Sequence, residues 1–346
     1  MKKLLLLIFF PIFAFSQNKE EAEIKVNEGI ILHDEGNYNA ALAKYDEALN
    51  LDKNNLLAIS EKAMTLEAVK RYDEAIEMCK LAIKTYPNED VKTIYITYGN
   101  SLDHAKKPKE AIKIYDEGIK KYPDYYQLYF NKGITLVNDN QIEKSLELFQ
   151  KSITLSPNHP GSLNALAALN RDKRIISILA SLRYLSVDNK TSRAQGNLDS
   201  VIDLMQQGVT QTDDKNITLS IDPKVVEQAG QDKKGKNNFS TVDMILSMTA
   251  ALDFDEKNVN KTQCEKAIDK FVSIFAGLKE GQTKQKGFYW EFLAPYFIEM
   301  KEKNLVEPFA YIAFLPNQAE DVKKYHQDHA DKIQSFYEWS KNYVWK

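Results

Sequence analysis

Small and large side chains alternate at a helical spacing in the segment GNYNAALAKYDEALNLDKNN, residues 36–55. Tyr38, Ala41, Tyr45 and Ala48 follow one another at intervals of three or four residues, with polar residues between them. Residues at such intervals lie on one face of an α-helix. The final Asp-Lys-Asn-Asn run breaks the pattern and predicts the end of the helix. We therefore predict a helix that packs through a face of alternating alanine and tyrosine.

The pattern recurs about every 34 residues in four consecutive blocks. Each block predicts a first helix with a small residue at its eighth position and a second helix with two small residues seven apart. The blocks are 22–55, 56–89, 92–125 and 126–159. The small residues are Gly29, Ala63, Gly99 and Gly133 in the first helices, and Ala41, Ala48, Ala75, Ala82, Ala111, Gly118, Ser145 and Ser152 in the second. Helices approach more closely than the usual separation of about 8–10 Å only where the crossing side chains are small. We therefore predict stacked helical hairpins.

A 34-residue helix-turn-helix period with small residues at the crossings resembles the tetratricopeptide repeat family. The resemblance covers residues 17–159 and implies a solenoid whose first helices line a concave groove. In that family, the second, fifth, ninth and twelfth positions of the first helices bind a protein or peptide partner. Carried over to this chain, the resemblance implies partner-binding residues Val26, Ile30, Leu57, Met64, Ile96, Asn100, Phe130, Ile134 and Val137. Most of them are apolar, and soluble monomers seldom leave such a patch uncovered. Either an external partner or the chain's own C-terminal helices fill the groove.

The remainder of the chain also predicts helices, so the predicted class is all-α throughout: a solenoid followed by a C-terminal helical region. Residues 160–207 continue as an atypical repeat that closes the stack. Residues 208–238 are polar and predict a linker or surface arm, in which only 217–221 alternate like a strand. Residues 239–346 predict a helical domain with segments at 240–254, 261–279, 286–303, 305–314 and 319–344.

The first 16 residues predict a cleaved export signal. Two lysines precede an apolar run of 12 residues, Leu4 to Phe15, and Ala14-Phe15-Ser16 has the small-residue pattern of a cleavage site. The run is shorter than the roughly 20 residues that a membrane-spanning helix needs. We expect the mature chain to begin at Gln17, to lack a membrane span and to be periplasmic or secreted.

The net charge and the cysteine content argue against a nucleic-acid-binding protein and against a disulfide-rich scaffold. The formal net charge is -3 and becomes -5 without the two lysines of the signal, so nothing indicates nucleic-acid binding. Two cysteines, Cys79 and Cys264, are too few for a disulfide scaffold. We predict no cofactor.

Three segments partly resemble ligand-binding motifs. Residues 230–237 fit a phosphate loop except that Asn237 stands where Ser or Thr is needed. The segment that begins at Asp253 starts like a calcium loop but has Cys264 where such a loop needs Glu. His326 and His329 lie three residues apart and could share a metal, without an assured third ligand. We therefore predict a non-catalytic interaction scaffold. An enzyme or metal-binding protein with its site in residues 239–346 is the alternative.

Overall fold

The computed structural model describes the backbone of residues 10–211, 216–229 and 236–345, and side chains from residue 18 onward. The chain divides into two compact units, Met1–Leu148 and Phe149–Lys346. The boundary falls inside the fourth predicted block, 126–159. Both units are almost entirely helical, and the predicted all-α class with stacked hairpins is confirmed.

The N-terminal unit is a row of helical hairpins. Its helices are α1 (Phe10–Asp34), α2 (Tyr38–Leu51), α3 (Leu56–Ala68), α4 (Tyr72–Thr85), α5 (Lys92–His104), α6 (Pro108–Lys121) and α7 (Tyr126–Asn138), and α8 (Ile142–Leu155) begins in this unit and crosses the boundary. The odd-numbered helices are the first helices of the repeats and the even-numbered ones are the second helices. The described part of α1 already includes the predicted cleavage site, while residues 1–9 of the predicted signal lie outside the described residues.

The same turn joins the first and second helix of every repeat. One residue has a left-handed backbone conformation: Gly36 (φ 80°), Lys70 (64°), Lys106 (62°) and Asn140 (58°). The amide of the next residue donates to a carbonyl five residues back, as Arg71 does to Leu66 at 2.8 Å. This is the Schellman arrangement, which satisfies carbonyls at the end of a helix. Glycine is the residue best suited to it, and only the first repeat has one.

The alternation of small and large residues serves the crossing within each hairpin. A Cβ atom added to Gly29 would lie 2.4 Å from a ring carbon of Tyr45, and one added to Gly99 would lie 2.4 Å from a ring carbon of Tyr115. Both tyrosines are fully buried. Glycine in each first helix therefore makes room for the tyrosine of the second helix.

The first helices also contact one another along the row. α1 contacts α3, α3 contacts α5 and α5 contacts α7, each more extensively than the second helices contact one another. A stack whose elements are closer on one side curves toward that side. The first helices therefore line the concave side of this unit, and we call the surface formed by their second, fifth, sixth, ninth and twelfth positions the inner face.

The C-terminal unit packs its helices around a buried aromatic core. Its helices are α9 (Pro160–Leu169), α10 (Arg174–Val187), α11 (Ser192–Gln206), α12 (Pro223–Ala229), α13 (Ser240–Ala251), α14 (Gln263–Gly281), α15 (Ala294–Glu302), α16 (Val306–Ala313), α17 (Glu320–Asp328) and α18 (Ala330–Asn342). A π-helical turn, Tyr289–Leu293, precedes α15, and 3₁₀ turns lie at Leu252–Phe254 and Leu315–Asn317.

Two details of this unit differ from the sequence prediction. In the segment expected to be a linker, β2 (Ile217–Leu219) forms where residues 217–221 alternate like a strand, and it pairs antiparallel with a strand that was not predicted, β1 (Val209–Gln211), with Val209 opposite Leu219. The single helix expected over 319–344 is two helices, because His329 has φ -131° and ψ 42° and ends the first one.

Buried cations tie the helices of the C-terminal unit together. Arg174 donates from Nη1 to Asp243 Oδ1 at 2.8 Å and from Nε to the Leu204 carbonyl at 2.6 Å. The Lys270 ammonium lies 2.6 Å from both carboxylate oxygens of Asp253. Each charge is compensated inside the fold, as buried charges require.

Candidate partner-binding face

The inner face exposes apolar side chains on two of its four helices. Leu57 and Met64 on α3 and Ile134 on α7 are exposed, and all three were predicted to bind a partner. They occupy second and ninth positions of their repeats. The structure therefore places an apolar surface where the resemblance predicted a groove.

Five other predicted residues are half-buried: Ile30, Ile96, Asn100, Phe130 and Val137. Ile30 packs against the core around Tyr45, and Ile96 packs against the core around Tyr115. Ile30 and Ile96 therefore have one side in the core and the other toward the inner face. They support the groove rather than project from it.

Val26 was predicted to contact a partner, and the structure places it in the core with no exposed surface. Ala22, one turn earlier, and Ala58 of α3 belong to the same buried cluster. Their small side chains let α3 approach this part of α1, and the approach covers Val26. Val26 therefore cannot serve as a contact residue of the inner face.

Asn100 links the inner face to the core beneath it. Its Oδ1 accepts a hydrogen bond from the Tyr115 hydroxyl at 2.7 Å, so the side-chain amide is oriented toward the face. Burial raises the pKa of Glu67 to about 7, and a hydrogen bond with Asn100 acts more weakly in the opposite direction. His104 Nε2 lies 3.9 Å from Glu67 Oε1. Glu67 occupies the twelfth position of the second repeat, one of the positions that the family resemblance places on the concave face.

A second partly buried carboxyl, Glu61, lies about two turns before Glu67 on α3. Burial raises the pKa of Glu61, while the nearby His33 lowers it. His33 Nδ1 lies 2.7 Å from the Thr65 hydroxyl, which itself donates to the Glu61 carbonyl at 2.9 Å. This hydrogen-bonded group joins α1 to α3 at the inner face.

In the described residues, the pair His326 and His329 has no third side chain placed to complete a metal site. His326 Nε2 lies 3.0 Å from the Tyr311 carbonyl oxygen and is engaged there. Within residues 18–211, 216–229 and 236–345, no three His, Cys, Asp or Glu side chains are grouped to hold a metal ion. Most of the phosphate-loop-like segment, residues 230–235, lies outside the described residues. Burial raises the pKa of the Cys79 and Cys264 thiols, which makes them poor nucleophiles.

No helix in the described parts of the chain combines the length and the apolar character needed to cross a membrane.

Comparison with known families identifies the repeats. Residues 32–95 and residues 126–159 each match a family model described as tetratricopeptide repeat. The second match has the same bounds as the fourth predicted block. The chain therefore contains tetratricopeptide repeats, and the predicted resemblance is confirmed.

Comparison with individual proteins gives partial similarities. The chain is 26% identical to human Protein O-mannosyl-transferase TMTC3 over 42% of its own length and 17% of that protein. It is 29% identical to Protein STIP1 homolog of Dictyostelium discoideum over 33% of its length and 20% of that protein. The chain thus spans about a fifth or less of these relatives. A solved thermophilic TPR protein of Thermus thermophilus is 16% identical with a TM-score of 0.46, covering 52% of this chain and 99% of that one.

Proposed function

We propose that this protein is a non-catalytic interaction scaffold, exported after removal of residues 1–16, that binds a peptide or helix of a protein partner on the inner face of its repeats. The observation that supports the proposal is the exposure of Leu57, Met64 and Ile134 on first helices. Leu57 and Met64 lie seven residues apart, so they share one side of α3.

The binding would follow the helix-in-groove mode. In this mode, apolar side chains of a partner segment, spaced three or four residues apart, fit between apolar side chains of a groove. A few buried apolar contacts supply most of the energy of such an interface. Leu57 and Met64 are the side chains of α3 that would provide them.

A matched pair of variants tests the proposal. Leu57 on α3 is 47% exposed and Leu81, on the second helix α4 of the same repeat, is 48% exposed. Leu57→Glu and Leu81→Glu therefore make the same chemical change at equal exposure on different faces. Peptides selected from a random display library on the full chain are then measured against both variants by fluorescence anisotropy.

We expect Leu57→Glu to weaken the selected peptides by at least about tenfold, and Leu81→Glu to leave their affinity within about twofold. Equal loss in both variants, or no loss in either, would refute binding on the inner face. A lower melting temperature of Leu57→Glu than of Leu81→Glu, with no peptide selected, would also refute it. That outcome would favour the alternative in which the chain's own helices cover the groove.

A further inference from the structure

Apolar and acidic side chains alternate along the exposed side of α3. Leu57, Glu61, Met64 and Glu67 follow one another at intervals of four, three and three residues, so they form one stripe along the helix. Asp103, the twelfth-position residue of α5, adds a carboxylate in the next repeat. The inner-face positions of α1, α3, α5 and α7 include no lysine and no arginine.

The carboxylates of this stripe have no lysine or arginine partner among the described residues of the N-terminal unit. Two lysines of the first helices instead pair with carboxylates of the second helices. Lys62 lies 2.5 Å from Asp46, and Lys132 makes the same 2.5 Å pair with Asp116 two repeats later. The inner face therefore has carboxyl groups without a lysine or arginine partner beside its apolar side chains, whereas Asp46 and Asp116 of the second helices each pair with a lysine.

We propose, building on the function proposed above, that the inner face binds a basic amphipathic helix. Its leucine-like side chains would lie against Leu57 and Met64, and its lysines or arginines would pair with Glu61, Glu67 and Asp103. A helix has this form when apolar and basic residues recur at three- and four-residue spacing.

Partial burial strengthens this charge complementarity. Glu67 is only 19% exposed, and a charge pair that water screens poorly attracts more strongly than one in bulk solvent. The raised pKa of Glu67 acts in the opposite direction, because burial keeps part of the carboxyl protonated near neutral pH. A bound cation favours the ionised carboxylate, so we expect binding to release a proton near neutral pH and to tighten as the pH rises through about 7.

Two synthetic helices of equal length and equal leucine spacing test the charge preference. One carries lysine and the other glutamate at every polar position, and both are titrated with the full chain by fluorescence anisotropy. The chain variant Glu61→Gln/Glu67→Gln removes two charges from the inner face. The control variant Asp46→Asn/Glu77→Gln removes two charges from second helices, so both variants have the same net charge.

We expect the lysine helix to bind wild type and the control variant alike, to bind Glu61→Gln/Glu67→Gln at least about tenfold more weakly, and to bind more weakly as salt increases. The glutamate helix should not bind. Equal weakening by both double variants, or binding of the glutamate helix, would overturn the proposal.

Failure of this inference can be told apart from failure of the proposed function. If library-selected peptides lack lysine and arginine but still lose affinity with Leu57→Glu, the inner face binds partners and the basic character of the partner is wrong. If the lysine helix binds Leu57→Glu and wild type equally while selected peptides still lose affinity with Leu57→Glu, only the basic-helix proposal fails. If neither ligand loses affinity with Leu57→Glu, both proposals fail.

Discussion

Replacement of Glu67 by glutamine should stabilise the N-terminal unit at alkaline pH and have little effect at acidic pH. Burial raises the pKa of Glu67 in the folded chain to about 7. An unfolded glutamate has a pKa of about 4.3. The folded chain therefore holds a proton that the unfolded chain releases between these values, so stability falls as the pH rises from about 4.3 to about 7. Glutamine is uncharged and has nearly the same shape, so it removes this dependence.

The size of the effect follows from the two pKa values. At about 1.36 kcal/mol per unit, the difference between them limits the cost of the ionised side chain to roughly 3–4 kcal/mol. Because the side chain keeps 19% exposure, solvent relaxation lowers this cost, and we expect Glu67→Gln to gain about 1–2 kcal/mol at pH 8. At pH 4.5 or below, the gain should be close to zero.

Four side chains from three helices lie near the Glu67 carboxyl. His104 and Asn100 lie on α5, Cys79 on α4 and Tyr115 on α6. His104→Gln measured in parallel separates the imidazole from the carboxyl. Exposed Glu77 on α4, replaced by glutamine, gives the effect of removing a surface charge at each pH.

Urea unfolding followed by pulsed thiol labelling measures the stability of the N-terminal unit separately from that of the C-terminal unit. Cys79 is buried and is the only cysteine before residue 149, and mass spectrometry of labelled peptides reads it separately from Cys264. The midpoint of Cys79 labelling should move to higher urea in Glu67→Gln at pH 8 but not at pH 4.5. An equal shift at both pH values, or a loss of stability at pH 8, would refute the argument that the ionised carboxylate is disfavoured.

Three further changes have definite expected outcomes. Gly99→Ala should destabilise by about 1–3 kcal/mol in urea unfolding, because its Cβ would overlap the buried ring of Tyr115, whereas Gly196→Ala, with nothing within 4 Å, should be neutral or stabilising. Lys70→Gly should stabilise by about 1 kcal/mol, since the left-handed conformation costs a lysine about that much and glycine little; a loss of stability would contradict the strain argument. Intact-mass measurement of exported protein should give a chain beginning at Gln17, and a chain retaining residues 1–16 would contradict the predicted signal.

The hairpins could be predicted because their signal is local and repeated. Four small residues at the eighth position and the tyrosines that face Gly29 and Gly99 all appear in the sequence at fixed offsets. A contact between helices of one repeat recurs in the next, so comparison of the blocks reveals it without knowledge of the fold. The second helices and their turns follow from the same alignment.

Features that depend on one particular neighbour could not be predicted in this way. Val26 is buried because Ala22 and Ala58 let α3 approach α1, and nothing in its own spacing distinguishes it from Ile96 or Phe130. β1 is only three residues long, too short to show an alternating pattern of apolar and polar residues, and it forms by pairing with β2. The break at His329 has no glycine or proline to mark it.

Residues at the helix crossings and residues on the inner face are under different packing constraints. Only the inner-face residues can therefore indicate the chemistry of a partner. The residues at the helix crossings must stay small for the hairpins to close, so their identity reports only on packing. The ninth and twelfth positions of the first helices are under no such constraint, and they differ in chemistry from repeat to repeat: Met64 and Glu67 in the second, Asn100 and Asp103 in the third, Ile134 and Val137 in the fourth. Packing alone therefore gives no reason for acidic residues to collect at the second and third repeats while lysines of the first helices pair with Asp46 and Asp116 on the second helices. A partner with basic residues next to apolar ones, as proposed above, gives such a reason.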